Sequence, residues 1–340
     1  MSKATIGYYV HHHGTGHMQR ALRIIPHIPS QVILFSSADE PKDLPANVRF
    51  VKLIDDAVES YNQPTGSAFM YTPHSPEISH RYQQILQSII KYDITCMYVD
   101  VSMEVAIFCK TLGLTVGHNI MQGIRDDQPH TNLYRMCDFY LSDSTPELDS
   151  TSRRVGPDHI EYVGGISRYP VVPIRNVGKF KNIVVTVSPK SSKRNIEKII
   201  RTAQAFPDST WHVVGPAENK LPQQNIVWHG VVQDPYEIYR HADVVVGAGG
   251  HNTITEMASL GLPFVCIPEE RPYDEQATAA QALANHTMAM YLKQWPEDDE
   301  WRHVFGELCQ LDLHAFQTIV HDDAASRAAA IIVAHAQPLK

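Results

Sequence analysis

Short apolar runs alternate along the chain with amphipathic or polar stretches. In the first half the runs lie at 5–10, 31–35, 50–53, 94–99 and 114–116, and helical or polar segments such as 77–91 separate them. Runs of this length suit strands covered on both faces, and strands that alternate with helices form parallel sheets. The pattern therefore predicts an α/β protein.

The pattern begins again at 182–187, after the stretch 164–182, which contains three glycines and two prolines. The chain has 340 residues, about twice the usual size of one domain, and 43% of them are hydrophobic, enough for two sizeable cores. We predict two Rossmann-like domains that face each other across a cleft. The expected divisions are a first domain at 1–165, a linker at 166–181, a second domain at 182–317 and a terminal helix within 318–340.

The most informative segment is 243–276, where an apolar run enters a turn containing Gly247, Gly249 and Gly250. A helix is predicted to follow, because Ile254 and Met257 recur at helical spacing. Glycines allow the backbone to approach a ligand closely, and the free N–H groups at a helix start bind phosphate. The segment predicts a diphosphate site that needs no metal.

Glu256 lies one turn into this helix, where a carboxylate can accept both hydroxyls of a ribose whose phosphates sit at the helix start. A plain strand-to-helix turn is the alternative interpretation. The polar loop 269–276 favours a binding site, because α/β sheets bind ligands at the carboxyl ends of their strands.

A second strand, glycine turn and helix open the chain, with Gly14, Gly16 and His17 in the turn. This turn lacks the third glycine of the dinucleotide fingerprint, so a nicotinamide cofactor is not expected. His11, His12 and His13 follow a strand, where consecutive side chains alternate faces, so three of them do not converge on one metal ion. His13, next to the turn, is the one expected to line the cleft.

Residues 226–292 resemble the donor-binding half of the GT-B glycosyltransferases that use nucleotide sugars. The nearest such families are the N-acetylglucosaminyltransferase that makes the lipid-linked peptidoglycan precursor and the UDP-glycosyltransferases. The resemblance implies metal-independent transfer without a cofactor. It assigns the diphosphate to Gly249, Gly250, His251, Asn252 and Thr253, the ribose to Glu256, the base to Val231 and Val232, and the donor sugar to Glu275 and Gln276.

The N-terminal turn is similar to the first loop of the same enzymes and of related nucleotide-sugar hydrolases. The resemblance implies that Gly16 and His17 face the reaction centre, and imidazole is a suitable base near neutral pH. Asp100 follows the run 94–99 and is expected to orient His17, to act as the base itself, or only to cap the next helix. His118 and Asn119 follow the next run and are candidates for acceptor binding.

The segment 188–195 follows the first strand of the second half, where the related enzymes have a glycine-rich turn. Pro189 and Lys190 replace the glycines here. Ser188, Ser191 and Lys190 remain candidates to bind a phosphate or an acceptor.

Charge and cysteine usage narrow the class of protein further. The net charge is −8, which argues against general nucleic-acid binding. The cysteines lie without CxxC spacing, so neither disulfides nor a zinc site is expected, and no signal peptide or bilayer-length apolar run is seen. We expect a cytoplasmic protein, with peripheral contact at the inner membrane face left open. The cysteines are Cys96, Cys109, Cys137, Cys266 and Cys309.

These patterns and the resemblance predict an inverting glycosyltransferase that moves a sugar from a nucleotide diphosphate donor, most simply UDP, to a hydroxyl acceptor. The acceptor classes considered are a cell-envelope, a lipid-linked and a small-molecule glycan. A nucleotide-sugar hydrolase of the same fold and a non-catalytic nucleotide-sugar sensor remain as alternatives.

Overall fold

In this computed structural model, the described residues are 4–11, 16–55, 75–149, 156–175, 179–217 and 224–336. They form two parallel sheets flanked by helices, so the predicted α/β architecture is confirmed. The first sheet has the order β3-β2-β1-β4-β5-β6-β7. Its strands are β1 Thr5–Val10, β2 Val32–Ser36, β3 Val48–Lys52, β4 Ile94–Asp100, β5 Thr115–Asn119, β6 Phe139–Ser142 and β7 Glu161–Tyr162.

The second sheet has the order β10-β9-β8-β11-β12-β13. Its paired strands are all parallel, as in the first sheet. Its strands are β8 Asn182–Thr186, β9 Thr210–Val214, β10 Ile226–Gly230, β11 Val244–Gly247, β12 Phe264–Cys266 and β13 Met290–Tyr291.

Helices connect the strands of both sheets. Those of the first half are α1 Gly16–Ile24, α2 Pro76–Tyr92, α3 Met103–Thr111 and α4 Gln128–Leu133. Those of the second half are α5 Pro189–Ala205, α6 Tyr236–Tyr239, α7 His251–Ser259, α8 Glu275–Asn285, α9 Glu300–Leu308, α10 Leu313–Gln317 and α11 Ala324–His335.

The strand order has the same form in both sheets and determines where a ligand can bind. In each sheet the strand order reverses at the first strand, where β1 pairs with β4 and β8 pairs with β11. The loops after these adjacent strands run to opposite sides of the sheet and leave a crevice at their carboxyl ends. His17 and Asp100 lie at the first crevice, after β1 and at the end of β4, and the glycine turn lies at the second crevice, at the end of β11.

The two sheets have separate hydrophobic cores, and the last helix packs against the first one. Ala324, Ala328, Ala329 and Ile332 of α11 are buried in the same cluster as Ile6 of β1. The chain therefore returns from the second sheet to the first before it ends. None of the described helices has the length and hydropathy needed to cross a bilayer.

Element boundaries differ from the sequence pattern at one place that affects the site. The pattern predicts a strand at 114–116 with His118 and Asn119 in the loop after it, whereas β5 extends to Asn119. The sequence pattern places His118 and Asn119 in a loop because both residues are polar. Both side chains are buried, so tertiary packing outweighs their polarity.

Candidate active site

His17 and Asp100 are 83 residues apart in sequence and meet at the carboxyl edge of the first sheet. His17 lies in the first turn of α1, and its Nδ1 is 3.2 Å from Oδ2 of Asp100, the last residue of β4. With Asp100 as acceptor, Nδ1 carries the hydrogen, and Nε2 keeps the lone pair that can take a proton.

Asp100 is fully buried, yet its carboxyl stays ionised. Burial alone would raise its pKa, but the guanidinium of Arg20 and the ring of His17 outweigh that effect and hold the pKa well below its usual range. A carboxylate that is difficult to protonate is a poor base. The low pKa and the contact with Nδ1 therefore favour one of the roles considered for Asp100, that of orienting His17.

The backbone directly after Asp100 is strained. Val101 has φ 79°, in the left-handed region that β-branched residues rarely adopt, and Ser102 N donates to Asp100 O at 3.2 Å. The side chain of Ser102 caps α3 by accepting from Val105 N. The capping role considered for Asp100 is thus filled by Ser102. Strain of this kind is typical of functional sites.

Arg20 joins the His17–Asp100 pair to a second carboxylate. The guanidinium is only 7% exposed; its Nη2 lies 2.6 Å from Asp100 Oδ1, and its Nη1 lies 2.7 Å from Asp143 Oδ2. Asp143 directly follows β6, which β5 separates from β4, so the ends of two strands of one sheet each contribute an acid.

His251 extends this chain of charges into the second half of the protein. It is the first residue of α7, and its Nε2 lies 2.9 Å from Asp143 Oδ2. Burial raises the pKa of Asp143, but Arg20 and His251 together lower it well below its usual range. We call the series His17, Asp100, Arg20, Asp143 and His251 the charge ladder. It links the N-terminal turn to the glycine turn that contains Gly247, Gly249 and Gly250, which we call the donor turn.

Each of the three glycines at the end of β11 is suited to its position for a different structural reason. A Cβ on Gly249, whose φ is 75°, would lie 2.2 Å from Cys266 Sγ, and one on Gly247 would lie 2.3 Å from Thr186 Oγ1. Both glycines are needed for packing. A Cβ on Gly250 would meet only Gln276 Nε2, at 3.8 Å, so Gly250 is the one that leaves space for a ligand.

The start of α7 lies close to the start of α1. Asn252 Nδ2 donates to Gln19 Oε1 at 3.4 Å, and a Cβ on Gly16 would lie 3.2 Å from Asn252 Nδ2. Thr253 follows in the same helical turn. The free amides at the start of α7 therefore lie close to the N-terminal turn that carries His17.

Glu256 is buried on α7 and is held by an arginine of the connecting segment. Arg168 Nε lies 2.8 Å from Glu256 Oε1, and Arg168 Nη1 donates to the carbonyl of Gln233 at 3.2 Å. Burial raises the pKa of Glu256 in spite of this ion pair. A cavity of about 830 Å³ opens beside the pair, lined among others by Gln19, Arg23, Arg168, Gln233, Asp234 and Tyr236.

The predicted sugar-binding pair lies at the start of α8. Gln276 is buried, and its Oε1 accepts from the backbone N–H of Glu269 at 2.9 Å. Glu275 is partly exposed, and its Oε2 lies 3.7 Å from Arg125 Nη2, which comes from the first half of the chain. Tyr273 just before it has φ 62°, and its carbonyl accepts from Ile124 N at 2.8 Å. The loop is thus held by both halves.

Ser188 has a structural role at the start of α5. It caps α5 by accepting from Lys190 N and Ser191 N, and its hydroxyl donates a short hydrogen bond to Glu269. This capping box stands where related enzymes have a glycine turn, and it uses the hydroxyl that was predicted to contact a phosphate.

Other predicted residues lie farther from this centre or outside the described part. Val231 is 79% exposed. Val232 is partly buried and packs against the core cluster of the second sheet that contains Val245 and Phe264. Burial lowers the pKa of His118 to about 4, so its ring is neutral near pH 7. Asn119 Oδ1 accepts from Tyr98 OH at 3.1 Å. His13 lies outside the described residues.

Sequence reasoning missed the charged residues that join the two halves. They are Arg20, Asp143, Arg125 and Arg168. Arg20 is one helical turn after His17, and Asp143 follows a buried strand as Asp100 does, so both carried a usable signal. In the described part of the chain, no group of three or more His, Cys, Asp or Glu residues is arranged to hold a metal ion.

Comparison with known structures identifies the architecture. The chain is similar in structure to MurG of Acinetobacter baumannii, with a TM-score of 0.66 and 14% identity over 97% of this chain and 99% of that one. It is likewise similar to a UDP-glucosyltransferase of Polygonum tinctorium, with a TM-score of 0.68 and 11% identity over 99% of each chain. The chain has the GT-B fold.

Sequence comparison agrees for the second half. Residues 179–301 match the family model described as the glycosyltransferase family 28 C-terminal domain. An uncharacterized glycosyltransferase of Methanosarcina mazei is 34% identical over 150 residues, which cover 42% of this chain and 40% of the relative. The predicted resemblance to GT-B glycosyltransferases is confirmed.

A shorter match reaches a named enzyme. The UDP-N-acetylglucosamine--N-acetylmuramyl-(pentapeptide) pyrophosphoryl-undecaprenol N-acetylglucosamine transferase of Flavobacterium psychrophilum is 35% identical over 72 residues, 21% of this chain and 20% of the relative. The matches to these curated relatives thus span less than half of either relative's length.

Proposed function

We propose that this protein transfers a sugar from a nucleotide diphosphate donor, most simply UDP-linked, to a hydroxyl acceptor with inversion at the anomeric carbon. The observation that carries the proposal is the His17–Asp100 pair, which adjoins the glycine turn and the start of α7. A base directly opposite a phosphate-binding turn suits a reaction in which a hydroxyl displaces a diphosphate.

In the proposed reaction, Nε2 of His17 removes the proton from the acceptor hydroxyl. The oxygen attacks the anomeric carbon from the face opposite the leaving group, and the bond from that carbon to the phosphate oxygen breaks. Asp100 stabilises the imidazolium that forms, since its carboxylate already accepts from Nδ1. The amides at the start of α7 receive the charge of the departing diphosphate.

The donor assignments follow the order of groups along the glycine turn and α7. The diphosphate is assigned to Gly249, Gly250, His251, Asn252 and Thr253, and the ribose to Glu256. The carboxylate of Glu256 already accepts a hydrogen bond from Arg168 Nη2 at 3.4 Å, and ribose hydroxyls need an acceptor of the same kind. The N-acetylglucosamine transferase of Flavobacterium psychrophilum and the UDP-glucosyltransferase of Polygonum tinctorium are both named for UDP-linked donors, which supports UDP as the nucleotide.

The remaining assignments carry over from the sequence. Glu275 and Gln276 take the donor sugar, Val231 and Val232 the base, and His118 lies on the acceptor side. The acceptor is proposed as a hydroxyl of a cell-envelope, lipid-linked or small-molecule glycan.

A calorimetric titration with UDP-, TDP- and GDP-sugars, without added metal, tests this function. We expect a UDP-sugar to bind and to release nucleotide slowly until an acceptor is supplied. Fast release in water would indicate a nucleotide-sugar hydrolase instead, and tight binding with no release under any acceptor would indicate a sensor. No binding across the panel would contradict the donor site itself.

Replacing Glu256 with alanine tests the ribose assignment. We expect UDP affinity to fall by roughly 10- to 150-fold, because a hydrogen bond to a charged group contributes about 1.5–3 kcal/mol. Calorimetry with UDP measures the change, and Glu307→Ala, at an exposed glutamate on α9, is the matched control. Equal UDP affinity in the two variants would show that Glu256 does not hold the ribose.

A further inference from the structure

His251 is a titratable side chain on the donor turn whose partner belongs to the other sheet. It begins α7 in the second half of the chain, while Asp143 follows β6 in the first half. Their side chains lie 2.9 Å apart and are largely buried. This contact therefore joins the two halves of the protein.

The charges of the ladder leave room for one more proton. Asp100 and Asp143 are ionised, and Arg20 between them supplies one positive charge. The net charge of these three groups is −1, shared between the histidines at the two ends. Burial makes an uncompensated charge costly, so one imidazolium is favoured at one end.

The surroundings of His251 put that proton on its ring. The charged groups that face it are Asp143 from the end of β6, Arg20 from α1 and Glu275 from α8. Burial lowers the pKa of His251 and Arg20 does so too, but Asp143 outweighs both, so the pKa lies above its usual value. The ladder then carries its extra proton at the His251 end.

The resemblance assigns His251 to the diphosphate; we propose that Asp143 is its positioning residue, which holds the ring and its proton so that His251 meets the departing diphosphate as a cation. This rests on the proposed function. An imidazolium has two N–H groups, and Nε2 lies 2.9 Å from Asp143 Oδ2 as an ion pair, so Nδ1–H is the group that we assign to a phosphate oxygen. His251 also sits at the positive end of α7, next to Gly250, the glycine with an open Cβ position.

The step balances with the groups present. The acceptor O–H gives its proton to His17 as its oxygen bonds to the anomeric carbon. The electron pair of the broken carbon–oxygen bond goes to the β-phosphate. Nδ1–H of His251 donates to that oxygen, and the positive charge of the ring offsets the negative charge that develops there.

Catalysis then depends on closure of the cleft, because the contact between His251 and Asp143 joins the two halves. When the two halves separate, His251 loses Asp143, its pKa falls and its ring tends to lose its proton. The donor turn then lacks its cation while the cleft is open to water. Transfer is thus confined to the closed state, which protects the donor from hydrolysis.

The pH dependence of kcat/KM in three variants tests the proposal. Activity should require neutral His17 and protonated His251, so kcat/KM should fall on the alkaline side as pH passes the raised pKa of His251. Asp143→Asn removes the charge that raises this pKa, so the alkaline limb should move to lower pH by about one to three units. His251→Gln should lower kcat/KM by about 10²-fold or more and lose this limb. Asp149→Asn, at a buried aspartate bonded to Tyr162, should keep the wild-type profile.

A nitrogen-15 NMR titration of the histidine rings reads the same proton without turnover. The signal of His251 is assigned by its absence in His251→Gln, and thermal unfolding confirms that each variant is folded. A raised pKa that drops in Asp143→Asn supports the role of Asp143. An ordinary pKa in the wild type, or an alkaline limb unmoved by Asp143→Asn, overturns the inference while leaving sugar transfer itself intact. Absence of turnover with every nucleotide sugar overturns the proposed function and the leaving-group role together, whatever the NMR result.

Discussion

Replacing His17 with alanine is expected to lower the rate of sugar transfer by about 10²- to 10⁴-fold, the usual contribution of a positioned general base. UDP affinity is expected to stay within about twofold of wild type, because the donor contacts lie on α7 and α8 of the other half. The physical reason is the proton: without Nε2 of His17, the acceptor hydroxyl must lose its proton to water. Turnover is measured by release of UDP in the presence of acceptor, and binding by calorimetry.

Two further variants separate the base from general damage. His303→Ala removes an exposed histidine on α9 and should leave both rate and affinity unchanged. Asp100→Asn keeps the shape of the buried site but removes the charge that stabilises the imidazolium, so it should also slow transfer. Undiminished turnover in His17→Ala would remove this residue from the mechanism and would favour Asp100 as the base.

The architecture was accessible from the sequence because each buried strand is a short apolar run. Strands in a parallel sheet are covered on both faces, so β1, β4 and β8 are apolar along most of their length and are separated by helices. The pattern alone does not reveal which strands are neighbours. That β1 lies beside β4 depends on contacts between residues more than 80 positions apart, which no local periodicity reports.

Part of the site was predictable for the same reason. Polar residues that directly follow buried strands meet at one edge of a parallel sheet, which brought His17 and Asp100 together as candidates. The same rule misled for His118 and Asn119, where the strand itself ends on polar residues. Burial of these two by the neighbouring strands outweighs their preference for water, and a single sequence does not show such burial.

The contacts between the two halves were the least predictable part. Arg20 lies on a helix with an apolar face, where a charged residue is ordinarily interpreted as exposed. It is buried because two carboxylates from β4 and β6 surround it, and one of these also meets His251. Such an arrangement depends on the closed positions of both sheets. Local spacing in the sequence marks Arg20 and Asp143 as candidates, but it does not show that these groups and His251 meet.

Replacing Arg20 with methionine is expected to have the largest effect on stability. The change keeps most of the side-chain volume but leaves Asp100 and Asp143 buried without their shared cation. Breaking a buried ion pair by removing one partner costs about 3–5 kcal/mol. For a chain with domains of this size, that corresponds to a fall in Tm of roughly 6–20 °C. Thermal unfolding followed by circular dichroism measures it.

A double variant decides whether the cost comes from charge or from packing. Arg20→Met with Asp143→Asn removes one positive and one negative charge together, so it should recover part of the Tm lost in Arg20→Met alone. If packing were the cause, the second change would lower the Tm further, because it deletes the charge that interacts with His251. If Arg20→Met left the Tm unchanged, the charge ladder would not exist in solution, and the assignment of the proton to His251 would fall with it. The stability of this one arginine variant therefore tests the electrostatic basis of the proposed site independently of any substrate.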